Sequence, residues 1–154
     1  MTIADLTPPP TAEPTLSEAM RTGSRAEHEA AESSTFMAEL LDGRINERGY
    51  AAYLLRLRTV YATLEECLRS RAEDPVVAAV HDPALERLAA IDADLDHWAP
   101  GAAREVDSPA ADAYRDRLLA AGAAETGGAL AAHHYTRYLG DLSGGQAIGR
   151  ILDR

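Results

Sequence analysis

Between Asn46 and about Ala72, apolar side chains recur at threes and fours: Tyr50, Tyr53, Leu54, Leu57, Val60, Tyr61, Leu64, Cys67 and Leu68. That period puts them on one stripe of a long α-helix. A half-buried strand would alternate at twos, and no segment of the chain does so. A chain of 154 residues organised around such a helix can bury a core only by laying other helices along the stripe. The expected fold is all-α, a multihelical bundle. Composition agrees, because the 46% hydrophobic content comes largely from Ala and Leu while aromatics are 5%, a balance that favours helices over strands.

Local signals divide the rest. Met1 to Pro14 is Pro/Thr-rich, with Pro8-Pro9-Pro10, and is expected to be a disordered leader before a domain over 15–154. Thr15 and Glu18 have capping-box spacing and open a helix that Gly23 interrupts. Its spaced positions are mostly small (Ala19, Ala26, Ala30, Ala31), so it buries little by itself. Phe36, Met37, Leu40 and Leu41 extend the pattern to Asp42-Gly43. Asp74-Pro75 and Asp82-Pro83 each read as an N-cap with proline at the first helical position, opening a short helix and then a longer one carrying Leu85, Leu88, Ile91, Leu95 and Trp98. Pro100-Gly101 ends it, and Ser108-Pro109 opens the next. After a loop at Thr126-Gly127-Gly128, a last helix runs from about Ala129 to Ile151 and Leu152, and Arg154 ends the chain with no cap or breaker.

A net charge of −10 argues against a general nucleic-acid or anionic-membrane binder, whose phosphate affinity needs clustered cations. No stretch approaches the length and apolarity of a membrane span, and no secretory leader is visible; the reading is a cytoplasmic protein. Cys67 is the only cysteine, which leaves no disulfide framework, and its place on the apolar stripe marks it as packing. Phosphate-loop, dinucleotide, nucleophile-elbow and H-E-x-x-H motifs are missing.

Helical logic alone does not explain the stretch Tyr135 to Gln146, YTRYLGDLSGGQ. Gly140, Gly144, Gly145 and Gly149 fall in an otherwise amphipathic helix, where each costs about 0.8–1 kcal/mol relative to Ala. Interior glycines admit a close neighbour or let the helix bend. The neighbour is either another helix, given the G-x-x-x-G spacing, or a flat ligand with the Asp141 carboxylate at its edge. His28 has Glu32 four residues on, on the same face, where a carboxylate can fix one ring nitrogen and leave the other as a metal ligand. A surface histidine with an incidental acidic neighbour fits the same spacing. Arg21 and Arg25, seven and three residues before His28, suit either a carboxylate-bearing ligand or a solvated stripe. His133 and His134 point about 100° apart on a helix and do not form a metal pair.

Two separated stretches together resemble the heme oxygenase family. Leu16 to Met37, containing Arg21, Arg25, His28 and Glu32, resembles its proximal helix. Tyr135 to Gln146 is similar to its distal signature almost letter for letter, and Val60 to Glu66 between them is similar as well. The resemblance implies a bundle with heme sandwiched between a proximal and a glycine-rich distal helix. His28 is then the iron ligand with Glu32 beside it. Arg21, Arg25 and Tyr135 stand near the propionates, and Gly140 and Gly144 lie over the heme. Asp141 organises distal water, with Tyr61 and Arg137 in its polar surroundings.

The implied activity is oxidative cleavage of heme, cofactor and substrate at once, to biliverdin, CO and ferrous iron. It uses O2 and electrons from an external ferredoxin or reductase, the implied redox partner. Imidazole, unlike thiolate, does not push electrons strongly toward O–O cleavage, which lets the porphyrin's own meso carbon be attacked. The family continues past the distal helix with further helices that this chain lacks, so the alternative is a heme carrier or sensor without turnover.

Overall fold

Asn46 begins the central helix as its spacing predicts: its side-chain oxygen accepts the Gly49 N–H at 2.8 Å, satisfying one of the four N–H groups that a helix start leaves orphaned. The computed structural model describes residues 13–152; most of the proline-rich leader, residues 1–12, lies outside the described residues. Every regular element among the described residues is helical.

The chain divides into two compact units, one ending at Ser34 and one beginning at Thr35. The first holds α1 (Leu16–Gly23) and α2 (Arg25–Glu32). Thr15 and Glu18 form the predicted capping box. The interruption expected at Gly23 falls one residue later, at Ser24, whose φ of −98° and ψ of 0° separate the two helices. None of the residues in α1 or α2 is buried, as the run of small side chains implies.

The second unit holds α3 (Thr35–Leu41), α4 (Glu47–Ser70), α5 (Pro75–Ala78), α6 (Leu88–Trp98), α7 (Pro109–Ala123), α8 (Gly128–His134) and α9 (Gln146–Leu152). Residues Ser33 and Ser34 separate α3 from α2. The α6 and α7 helices pack along α4, and α8 packs against α4, α5 and α7. Tyr61, Leu64 and Leu68 of α4 are fully buried with Leu95, Leu118 and Leu130 from those neighbours, each such leucine contributing about 1.5–3 kcal/mol of burial. Cys67 joins this core, its thiol pushed above its usual range by burial and then by the Glu66 charge, in keeping with a packing role.

Identical Asp-Pro dipeptides give different structures. Asp74 caps α5 through the Val76 and Val77 N–H groups. Asp82 caps only a single 3-10 turn, Pro83–Leu85, and the long helix expected there starts later, at Leu88. Its cap comes from across the fold: the Glu65 carboxylate of α4 accepts the Arg87 and Leu88 N–H groups at 2.7 and 3.1 Å. The last expected helix is not uniform either. Between α8 and α9 the chain widens into two π-helical turns, Tyr135–Leu139 and Asp141–Gly145.

Candidate functional site

The widened stretch is where the fold exposes its glycines. A Cβ built on Gly140, Gly144, Gly145 or Gly149 would meet no described atom within 4 Å, so no part of the described protein requires the absence of a side chain there. Among the described residues no contact marks these glycines as a helix-packing surface. Elsewhere they do serve packing: a Cβ on Gly127 would stand 2.5 Å from an Asp74 carboxylate oxygen and 2.6 Å from a Val77 methyl, and one on Gly122 would stand 2.9 Å from the Cys67 sulfur. π-helical turns add a residue to the helical ring and recur at functional sites. Here they coincide with the bare backbone.

Asp141 lies inside this stretch, partly exposed, and is held by groups from two elements. The Tyr61 hydroxyl of α4 donates to its Oδ2 in a short hydrogen bond. Arg137, one turn earlier, stands 3.7 Å from Oδ1 and lays its guanidinium over the Tyr61 ring, 5.3 Å from the centroid, a cation–π distance. Burial, and then the Asp141 carboxylate against the opposing pull of Arg137, pushes the Tyr61 phenol well above its usual range. Tyr61 thus remains a proton donor to Asp141 across the physiological range. The Arg137 Nε is buried and has no hydrogen-bond partner among the described residues, leaving one donor of the fork unused beside the carboxylate.

Behind this group is a polar layer that the sequence reading did not single out. Glu65, 1% exposed, accepts the Tyr138 hydroxyl at 3.2 Å as well as the two α6 N–H groups. Tyr138 meets Tyr61 edge-to-face at 5.6 Å. The signal was present: Glu65 stands four residues after Tyr61 and next to Leu64, so a charged residue interrupts the face of α4 that faces the core. Tyr138, Asp141 and Leu142 also line a cavity of about 160 Å³ closed by Ala84, Leu85 and Arg87. His134, at the end of α8, is buried with its Nε2 unpartnered and its ring against Tyr138 at 4.5 Å. Burial, then the nearby His81, holds it below the usual histidine range.

The remaining predicted residues are found as follows. His28, in α2, brings Nδ1 to 3.5 Å from a Glu32 carboxylate oxygen, the one-turn pairing expected of their spacing. Both side chains are largely exposed, 65% and 64%. Arg21 is in the last turn of α1 and Arg25 opens α2. Tyr135 begins the first π turn. His133 is engaged by the Tyr114 hydroxyl at 3.0 Å, in keeping with a structural place. Among the described residues no group of three or more His, Cys, Asp or Glu could hold a metal ion. In the first unit an imidazole stands against a carboxylate, with two arginines on the preceding turns, a donor set suited to heme iron and propionates; in the second, a bare glycine backbone flanks an aspartate, which suits the approach of a flat ligand.

A family model described as "Heme oxygenase" matches residues 14–154. The chain is 38% identical to human heme oxygenase 1 over 142 residues, covering 90% of this chain and 49% of the human one. It is 33% identical to heme oxygenase 2 of the cyanobacterium Synechocystis over 139 residues, covering 89% of this chain and 55% of the relative. The solved structure of heme oxygenase-2 from Synechocystis, in complex with heme and NO, superposes with a TM-score of 0.83 at 33% identity over 90% of this chain and 57% of that one. The chain spans about half the length of the curated relatives it matches.

Proposed function

This chain belongs to the heme oxygenase family, and on that premise we propose that it cleaves heme oxidatively to biliverdin, CO and ferrous iron, drawing electrons from a separate ferredoxin or flavoprotein reductase in the cytoplasm. The observation that carries the reading is the open glycine backbone at Gly140 and Gly144 with Asp141 between them, bonded to Tyr61 and paired with Arg137. Among the described residues no helix is long and apolar enough to cross a membrane.

Heme, when bound, supplies both the iron that activates O2 and the meso carbon that is attacked. The protein's part is to bind, orient and manage protons. His28 would hold the iron through Nε2, with Glu32 beside Nδ1 favouring the tautomer that leaves Nε2 free. Arg21 and Arg25 would hold propionates by charge-assisted hydrogen bonds, and Tyr135 matches a family tyrosine that meets the propionates. Gly140 and Gly144 present backbone where any side chain would obstruct the ligand. Asp141 acts through water: Tyr61 occupies Oδ2, Arg137 balances the charge at Oδ1, and the partly exposed carboxylate orders a water that passes protons on.

The test is a hemin titration followed by addition of reductant under air, read in the visible spectrum. Loss of the heme band with growth of a bilin absorbance is the expected result. A stable heme band after reductant supports a carrier or sensor, and no spectral shift on adding hemin contradicts both.

A further inference from the structure

Two phenol–carboxylate hydrogen bonds join α4 to the widened stretch, and they are reciprocal. Tyr61 of α4 donates to Asp141, while Tyr138 of the stretch donates to Glu65 of α4 at 3.2 Å. Each element thus supplies one phenol and one carboxylate. The lower-numbered residue on α4 meets the higher-numbered one on the stretch, so the two segments run antiparallel here, and the Tyr61 and Tyr138 rings touch edge-to-face at 5.6 Å. Each bond also falls on a different π turn: Tyr138 lies in Tyr135–Leu139, and Asp141 opens Asp141–Gly145.

A π turn holds one residue more than an α turn, and such turns are rare inside helices. Relaxing the first to α-helical pairing would turn the residues beyond it by about 100°, enough to carry the Asp141 carboxylate off the Tyr61 hydroxyl. Two π turns in close succession therefore need a hold from outside the helix, and the two bonds to α4 are unequal as holds. Asp141 is partly exposed and is met by side chains. Glu65 is buried, and its Oε1 accepts the Arg87 and Leu88 backbone N–H groups as well as the Tyr138 hydroxyl, so the start of α6 fixes it independently of Tyr138. Its other oxygen faces Arg69 at 3.9 Å. Burial, and then the Glu65 charge, pushes the Tyr138 phenol well above its usual range, which keeps it a donor.

We propose that Glu65 and Tyr138 are positioning residues that lock the π register of the glycine-rich stretch and thereby aim the Asp141 carboxylate. Glu65 acts through Tyr138, and both act through Asp141. The functional half of the inference rests on the heme-cleaving reading above, in which Asp141 handles protons; the register itself does not depend on it. The lock is a hydrogen bond rather than an ion pair, since every bond that Glu65 accepts ends on the same oxygen.

The test begins with the full chain, isotopically labelled and free of heme. NMR scalar couplings across backbone hydrogen bonds show which carbonyl each N–H uses. In the parent, N–H groups of the stretch should couple to carbonyls five residues back; pairing four residues back throughout overturns the proposal before any variant is made. Tyr138→Phe keeps the ring and removes the donor. The expected result is a shift of the first turn to four-residue pairing and, with hemin and reductant under air, biliverdin formation slowed by about tenfold or more at unchanged hemin affinity. Unshifted pairing, or shifted pairing with biliverdin formed at the parent's rate, overturns the proposal. Glu65→Gln keeps Oε1 as the acceptor and should keep both register and rate; loss of either overturns the hydrogen-bonded lock. Should Tyr138→Phe fail to fold, the parent and Glu65→Gln still decide. The couplings are read without heme, so their failure leaves the heme reading intact, and a parent that forms no biliverdin defeats that reading while the couplings still judge the register.

Discussion

Gly127 and Gly140 are the same residue used in opposite ways. At Gly127 the protein itself fills the place of a side chain, with Asp74 and Val77 inside contact distance of any Cβ. The Asp74 carboxylate accepts the Gly127 N–H at 3.0 Å and, through Arg71 first and then the Val76, Val77 and Gly127 N–H groups, is held below its usual range. Arg71 in turn donates to the Gly122 and Ala124 carbonyls at the end of α7. At Gly140 no described atom lies within 4 Å of the place a Cβ would take. The two glycines look alike in sequence; the described space around each sets them apart.

Substitution tests that contrast, and the largest effect is expected at the open end. Gly140→Leu places a side chain where no described atom stands, so hemin affinity measured by absorbance titration should fall by tenfold or more, about 1.4 kcal/mol, while the thermal midpoint does not drop. A fall in the thermal midpoint instead would show that the fold itself needs a glycine at this position. Gly127→Ala is the reverse case. Overpacking against Asp74 and Val77 should cost about 1–3 kcal/mol in urea unfolding, with hemin affinity of the folded fraction unchanged.

The boundary between the packed and open regions lies at His134, and its effect is smaller. Its depressed protonation means that the unfolded chain binds a proton which the folded chain refuses. Stability is therefore full above the ordinary histidine value of about 6.5 and declines as pH falls through it toward the lower folded value. His133, also lowered by burial and then by Arg117, contributes in the same direction. Unfolding midpoints measured from pH 7.5 down to about pH 5 should decline less in His134→Phe than in the parent. An equal decline in both would place the titration elsewhere.

Much of this was legible in the residues. The stripe on α4, the caps at Thr15, Asn46, Asp74 and Ser108, and the His28–Glu32 pairing are local, fixed by side chains within one or two turns, and local rules capture them. What escaped depends on distance in the chain. Asp82-Pro83 carries the same letters as Asp74-Pro75, but α6 takes its cap from Glu65, more than twenty residues upstream, so the helix begins at Leu88. The glycine run predicted a close neighbour or a bend without saying which; the π turns supply the bend and the empty space supplies the room. Glu65 and Tyr138 remained unremarked because their importance arises only when α4 meets the distal stretch.

The central claim is that Asp141, set between open glycines and anchored by Tyr61, manages protons for heme cleavage. Single-turnover product analysis of Asp141→Ala, loaded with hemin and given reductant under air, tests it most directly. The account predicts that the variant binds hemin as the parent does yet forms little or no biliverdin. A normal biliverdin yield would contradict it.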